Sequence, residues 1–144
     1  MKFFLIAVAF SLLFSIKAYS KEASNGRILY NQATLLLKMG DYKNAFIYFS
    51  GACYNNYLPG CDMMGLVEYQ IDKTKGTQIC KQWVKELSKS KDKNDKAHLK
   101  QVLKYYIDAF KQLGNKELSD YFEETYNKIF LHIQIEEVNP KDKN

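Results

Sequence analysis

Apolar residues recur at steps of three and four through most of the chain, the spacing that gives a helix one oily face. From Asn25 to about Met39 it predicts a first helix, with Leu29, Ala33 and Leu36 on one face and Ile28, Gln32 and Leu35 alongside. Gly40 can end this helix in a left-handed cap, and Asp41 can cap the next start. A second helix carries Tyr42, Ala45, Phe46, Phe49, Ala52 and Cys53, and Pro59-Gly60 predicts the turn after it. A third begins near Gly60 with Cys61, Met64, Gly65, Glu68 and Tyr69. Glycine in mid-helix costs about 1 kcal/mol against alanine, so Gly65 predicts the close approach of another helix. A fourth carries Ile79, Cys80, Trp83, Val84 and Leu87, and Ser88 to Asp95 reads as a charged linker. The last two have the cleanest stripes. One holds Leu99, Val102, Leu103, Tyr106, Phe110 and Leu113; the other, after Gly114 and a capping Asn115, runs from Leu118 through Tyr121, Phe122, Thr125, Tyr126, Ile129 and Phe130 to Ile133.

The even-numbered helices echo one another. Ala45-Phe46-Ile47-Tyr48-Phe49 leads to Ala52-Cys53, Cys80-Lys81-Gln82-Trp83-Val84 leads to Leu87-Ser88, and Leu118-Ser119-Asp120-Tyr121-Phe122 repeats the order of small or apolar residue, spacers and aromatic. Ala45 and Cys80 are about 35 positions apart, a period that with paired helices indicates a helical solenoid. No single pair can bury its own stripe, whereas three stacked pairs can share a core. The expected fold is therefore all-α, a short right-handed α-solenoid of about three helix–turn–helix pairs.

The chain opens differently. Lys2 gives a positive start, Phe3 to Ile16 is uncharged and mostly apolar, and Ala18-Tyr19-Ser20 offers small residues where a signal peptidase reads. Residues 1–20 are read as a secretory signal cut after Ser20, because a membrane span needs about 20 apolar residues. The helical domain is then 21–135 and the polar end, 136–144 with Pro140, a flexible tail. Export places the chain in the periplasm or outside the cell, where disulfides form. No later stretch is apolar enough to span a membrane.

Composition narrows the choice of partner. With 47% apolar and 26% charged residues the chain is globular rather than disordered. Its formal charge is +5, and two lysines leave with the signal. Arg27 is the sole arginine, and along the sequence lysines alternate with acids as on a solvated helical surface, which argues against nucleic acid. Three cysteines are too few for a structural zinc site alone. His98 and His132 lie in different predicted helices without ligand-spaced neighbours, so no metal and no cofactor are expected.

Gly40, Tyr42, Ala45, Phe49 and Ala52 look like the second half of a tetratricopeptide-type unit. Cys53 and Cys61 stand across a helix end, a Pro-Gly turn and a helix start. The run from Ala52-Cys53 to Gly60-Cys61-Asp62-Met63-Met64-Gly65 resembles the Sel1-like repeats, especially those of the secreted Helicobacter cysteine-rich protein family. The likeness covers roughly residues 29–87; helices five and six share it in outline. It implies a disulfide between Cys53 and Cys61 that ties one helix to the next, leaving Cys80 as the odd thiol, read either as a small apolar group in a helix interface or as a reactive one. No C-x-x-C and no nearby histidine speaks for redox or metal chemistry at the pair. The sequence departs from a regular array in having Lys89 and Ala97 where a further cysteine pair would fall, and in reducing the glycine-rich loop to residues 71–76.

The resemblance also implies a possible β-lactam-binding or β-lactam-hydrolysing activity. Ser88-Lys89-Ser90-Lys91 formally fits S-x-x-K, but chance supplies such a match at this lysine content. Ser119-Asp120-Tyr121 is not S-D-N, and Lys73-Thr74-Lys75-Gly76 is not K-T-G. No catalytic residues are assigned, and the enzyme question stays open, with a β-lactamase-like hydrolase as the alternative to a binding module. What remains is aromatic: 15% of the chain, with eleven tyrosines. Tyrosine joins rigid apolar area to a polar tip and suits contact surfaces. Tyr30, Tyr54, Tyr57, Tyr69, Tyr105 and Tyr106 either line a binding surface or fill helix seams. The reading is a monomeric, exported binding module for another protein or peptide.

Overall fold

A computed structural model describes residues 25–131, and every ordered element in it is helical. The predicted signal, the tail, His132 and Ile133 lie outside the described residues. Six helices pack in consecutive pairs: α1 (25–38), α2 (Tyr42–Tyr54), α3 (Leu58–Ile71), α4 (Lys73–Lys89), α5 (Lys93–Gln112) and α6 (Lys116–Tyr126). A π-helical turn, Asn127–Leu131, continues α6. The contacts divide the chain into two compact units, one up to Trp83 and one from Val84 onward, so the division falls within α4.

Several expected caps are in place. Gly40 and Gly114 take positive φ, 77° and 76°, where a side chain would be strained. Asp41 accepts the Asn44 N–H at 3.2 Å, and Asn115 accepts the Leu118 N–H at 3.0 Å. Other boundaries move. The turn after α2 is not at Pro59-Gly60 but at Asn55 and Asn56, where Asn56 takes φ 61°. Pro59 lies inside the first turn of α3, where its missing N–H costs nothing. The stretch 88–95 is not a long linker: α4 runs to Lys89, and Asp92 caps α5 by accepting the Asn94 N–H at 2.7 Å. Between α3 and α4 the chain needs one residue, Asp72, which ends the first helix and accepts the Lys75 N–H at the start of the second. The α-helical part of α6 ends at Tyr126 rather than at Ile133.

In the first unit Ala33, Ala45, Phe49 and Val67 are fully buried, with Tyr30, Leu36, Phe46 and Met64 packed around them. The alanines let the helices approach, and Phe49 fills the space left. The α2–α3 pair is held by the Cys53–Cys61 disulfide, with Cα atoms 4.7 Å apart. The α3–α4 pair meets where Gly65 faces Cys80 and Gly76 faces the backbone of Tyr69, so the approach predicted from Gly65 is present and a second glycine shares it. The Trp83 indole N–H closes this pair with a 2.8 Å bond to Asp62 Oδ1.

The second unit is built on aromatic stacking. Tyr106, Phe110 and Phe122 are fully buried. The Phe110 and Phe122 rings stack at 5.6 Å, and Tyr106 lies 5.2 Å from Phe122. Full burial of each phenylalanine contributes about 2–3 kcal/mol. Ser119, itself buried, donates its hydroxyl to the Ile107 carbonyl at 2.8 Å and so fixes α6 against α5.

Candidate binding surface

The first helix carries two faces. Ala33 is buried, Leu29 and Leu36 are half-buried, and these make the inner stripe. Ile28 and Leu35, expected beside that stripe, are exposed by 51% and 60%, and Met39 by 78%. At 100° per residue, positions 28, 35 and 39 line up within about 40° of arc, turned well away from Ala33. On α2, Ile47 and Tyr54 are seven positions apart and also exposed, Tyr54 by 93%. Gly51 lies between them, and a methyl on Gly51 would reach Leu29 Cδ1 at 3.2 Å. That contact sets the Ile47–Gly51–Tyr54 edge of α2 beside the Leu29 edge of α1. The outer side of the hairpin therefore presents aliphatic and aromatic side chains to water, with Gln32, Lys38 and Lys43 as polar neighbours. Scattered exposed apolar residues are ordinary; an aligned set makes the outer side of this hairpin the candidate surface.

The six singled-out tyrosines divide. Tyr30 and Tyr57 are half-buried and brought together, ring centroids 5.4 Å apart, with Tyr30 edge-on to Phe49 at 5.3 Å. Tyr54 stands free of the packing on the same α2–α3 turn. Tyr105, in the second unit, is 49% exposed. Tyr69 and Tyr106 are buried, at 7% and 0% exposure, and belong to helix seams: Tyr69 carries the close contact with Gly76, and Tyr106 sits in the α5–α6 aromatic stack. Neither can line a surface, and that part of the expectation is corrected.

Cys80 is fully buried against Gly65, the place of a small apolar side chain in a helix interface. A reactive thiol needs access and an electropositive setting, and this burial withholds the first. Ser88 is exposed near the end of α4 and donates its hydroxyl to the Lys85 carbonyl at 2.8 Å, while Lys91 lies exposed beyond the helix. A nucleophilic serine needs a base held against its oxygen, so the S-x-x-K match is not assembled as a site. Among the described residues no group of three His, Cys, Asp or Glu side chains is placed to hold a metal ion, and no helix is long and apolar enough to cross a membrane.

The outer stripe of α1 was not recognised from sequence as a surface, although the spacing of Ile28, Leu35 and Met39 against Ala33 carries the signal. A second feature was missed altogether. Lysines that alternate with acids along the chain fall into a row on α5: Lys93, Lys100, Lys104 and Lys111, with Lys96 beside them. The chain matches no protein-family model, no curated protein and no solved structure, so the functional reading rests on its own geometry.

Proposed function

We propose that this chain is an exported, Sel1- or tetratricopeptide-like helical-repeat protein that binds another protein or peptide through the outer face of the α1–α2 hairpin. The observation that carries the reading is the aligned, exposed set Ile28, Leu35, Met39, Ile47 and Tyr54 on a hairpin whose second helix is tied to α3 by a disulfide. Binding gains most from apolar and aromatic anchors already held rigid, since less freedom is lost on association. The lysines and amides around them would orient the partner. Export is supported by the apolar run 3–16 with Ala18-Tyr19-Ser20 behind it, and the Cys53–Cys61 bridge is compatible with an oxidising compartment.

A photo-crosslinking residue placed at Ile47 or Leu35 in producing cells tests this. The expected result is one adduct of the same added mass at both positions, absent when the crosslinker is at exposed Gln70, and lost when Tyr54→Ala is combined with Met39→Ala. Equal labelling at Gln70, or an adduct that survives the double substitution, would remove this face as the binding surface. The intact mass of the recovered chain should correspond to a start at Lys21; retention of residues 1–20 would refute the export reading.

A further inference from the structure

The lysine row on α5 lies in the other compact unit and concerns a different kind of surface. Lys93, Lys100, Lys104 and Lys111 fall within about 40° of arc at 100° per residue, and at 1.5 Å per residue the row extends about 27 Å. Lys96 flanks it, and all five side chains are exposed. None of the five is held in an ion pair with a described residue; Asp120 and Glu124 on α6 are instead engaged by Lys116 of the same helix and Lys128 of the π-helical turn that continues it. The Lys116–Asp120 hydrogen bond also holds the Lys116 ammonium above its usual pKa. Of the two acids on α5, Asp95 accepts the Ser90 hydroxyl at 2.6 Å on a different side of the helix, and Asp108 alone borders the row. Along α5 itself the row is thus a line of positive charge with one acid beside it.

We propose that this row docks the protein on an anionic lipid surface. Three features favour a bilayer over other polyanions. First, the charges are all lysines, which act as compact point charges; arginine, with its planar fork, is the usual choice for bidentate recognition of a defined phosphate. Second, a straight, exposed row of about 27 Å suits an extended charged plane, to which each lysine near the surface adds a similar increment. Third, the aromatic side chains beside the row are already covered. Lys100 Nζ lies 5.8 Å from the Phe130 ring centroid, and Lys104 Nζ lies 5.9 Å from that of Tyr126. A single-stranded nucleic acid binds by stacking bases on open aromatic faces, and an ammonium over each ring occupies them. The attachment would be peripheral and reversible.

The test is co-sedimentation of the purified chain with vesicles of phosphatidylcholine and phosphatidylglycerol, against phosphatidylcholine alone, at low and high salt. The readout is the ratio of the two partition coefficients, which cancels any apolar contribution common to both vesicles. Wild type should prefer the anionic vesicles and lose that preference in high salt. Replacing Lys93, Lys100, Lys104 and Lys111 together by glutamine should reduce the ratio on the order of a thousandfold, about fivefold for each lysine. Replacing the same four by arginine should retain it. Glutamine at Lys73, Lys75, Lys85 and Lys89, exposed lysines off the row, should change it little despite the same loss of charge. Far-UV ellipticity of each variant confirms folding. No anionic preference in wild type, or an equal loss in the off-row variant, overturns the proposal. So does binding of a single-stranded oligonucleotide, but not of vesicles, that is lost in the row variant.

Discussion

Replacing Gly65 by alanine sets two known effects against each other, and the sign of the result reports how closely α3 and α4 pack. Alanine is the better helix former by about 1 kcal/mol, so at an open helical position the change stabilises. At Gly65 the added methyl would lie 2.8 Å from the backbone nitrogen of Cys80 and 3.1 Å from the Gly76 carbonyl oxygen, and closer still to Cys80 Sγ. Two of these three atoms are backbone and cannot swing aside, so relief requires the helices to separate. Overpacking costs about 1–3 kcal/mol, and a backbone obstruction puts this case at the upper end. The net expectation is a loss of about 2 kcal/mol, or roughly 10 °C in Tm for a unit of this size. Gly76→Ala should cost more, because its nearest neighbours are all atoms of Tyr69, two of them backbone. Thermal and urea unfolding should be followed by far-UV ellipticity and by the fluorescence of Trp83, the single tryptophan, whose indole bonds Asp62 across the same helix pair. Adding Cys80→Ala to Gly65→Ala removes the sulfur but leaves the Cys80 nitrogen, so it should restore only part of the loss. A Gly65→Ala protein as stable as wild type, or more so, would refute the close approach on which the packing account rests.

Cys53→Ser should lower stability by about 2–3 kcal/mol, the loop-closure entropy of so short a ring, with helical content at low temperature unchanged; an unaltered melting curve would show the bridge to be idle. Under denaturing, non-reducing conditions an alkylating reagent should label Cys80 alone, and all three cysteines after reduction; three labels without reduction would rule out the bridge. Ser119→Ala should cost about 1 kcal/mol through the lost bond to the Ile107 carbonyl, while Ser88→Ala, at an exposed position, should leave urea unfolding unchanged; equal effects would contradict the role assigned to Ser119. A chromogenic β-lactam should not be turned over at high protein concentration. Turnover that Ser88→Ala abolishes would establish the hydrolase alternative and place it at Ser88.

The elements that could be read from the sequence are those governed by local rules. Gly40 with Asp41 and Gly114 with Asn115 combine a left-handed stop with a side-chain cap, and both junctions form as read. The stripes of α5 and α6 bury the expected Leu99, Val102, Leu103, Tyr106, Phe110, Leu118 and Phe122. The misreadings arise where one residue type fits two local roles. Pro59-Gly60 serves a turn or a first helical turn equally well, and Asn55-Asn56 took the turn because asparagine tolerates positive φ. The charged stretch 88–95 has no apolar residue, but lysine is a sound helix former and Asp92 serves as a cap, so polarity did not mark a linker there. Gly76 looked like the remnant of a loop and is instead a contact point within α4, which a single sequence cannot distinguish. Burial of a tyrosine depends on what faces it. Tyr54 and Tyr69 have the same chemistry, and only the packed helices separate the exposed one from the buried one.

The apolar face is built from α1 and α2 and the lysine row from α5, in separate compact units with no residue in common. Substitutions at sites that share no residue and no partner add in free energy. Glutamine at the four row lysines should therefore leave crosslinking at Ile47 unchanged for a partner supplied in solution, and Tyr54→Ala with Met39→Ala should leave the vesicle ratio unchanged. If the partner is itself anchored in an anionic membrane, the second contact becomes intramolecular once the first has formed, and the two losses then multiply only on vesicles that carry the partner. Measuring the four combinations with and without that membrane separates a protein with two independent surfaces from one that uses them together. Coupling between the variants in solution, with no membrane present, would contradict the independence of the two units.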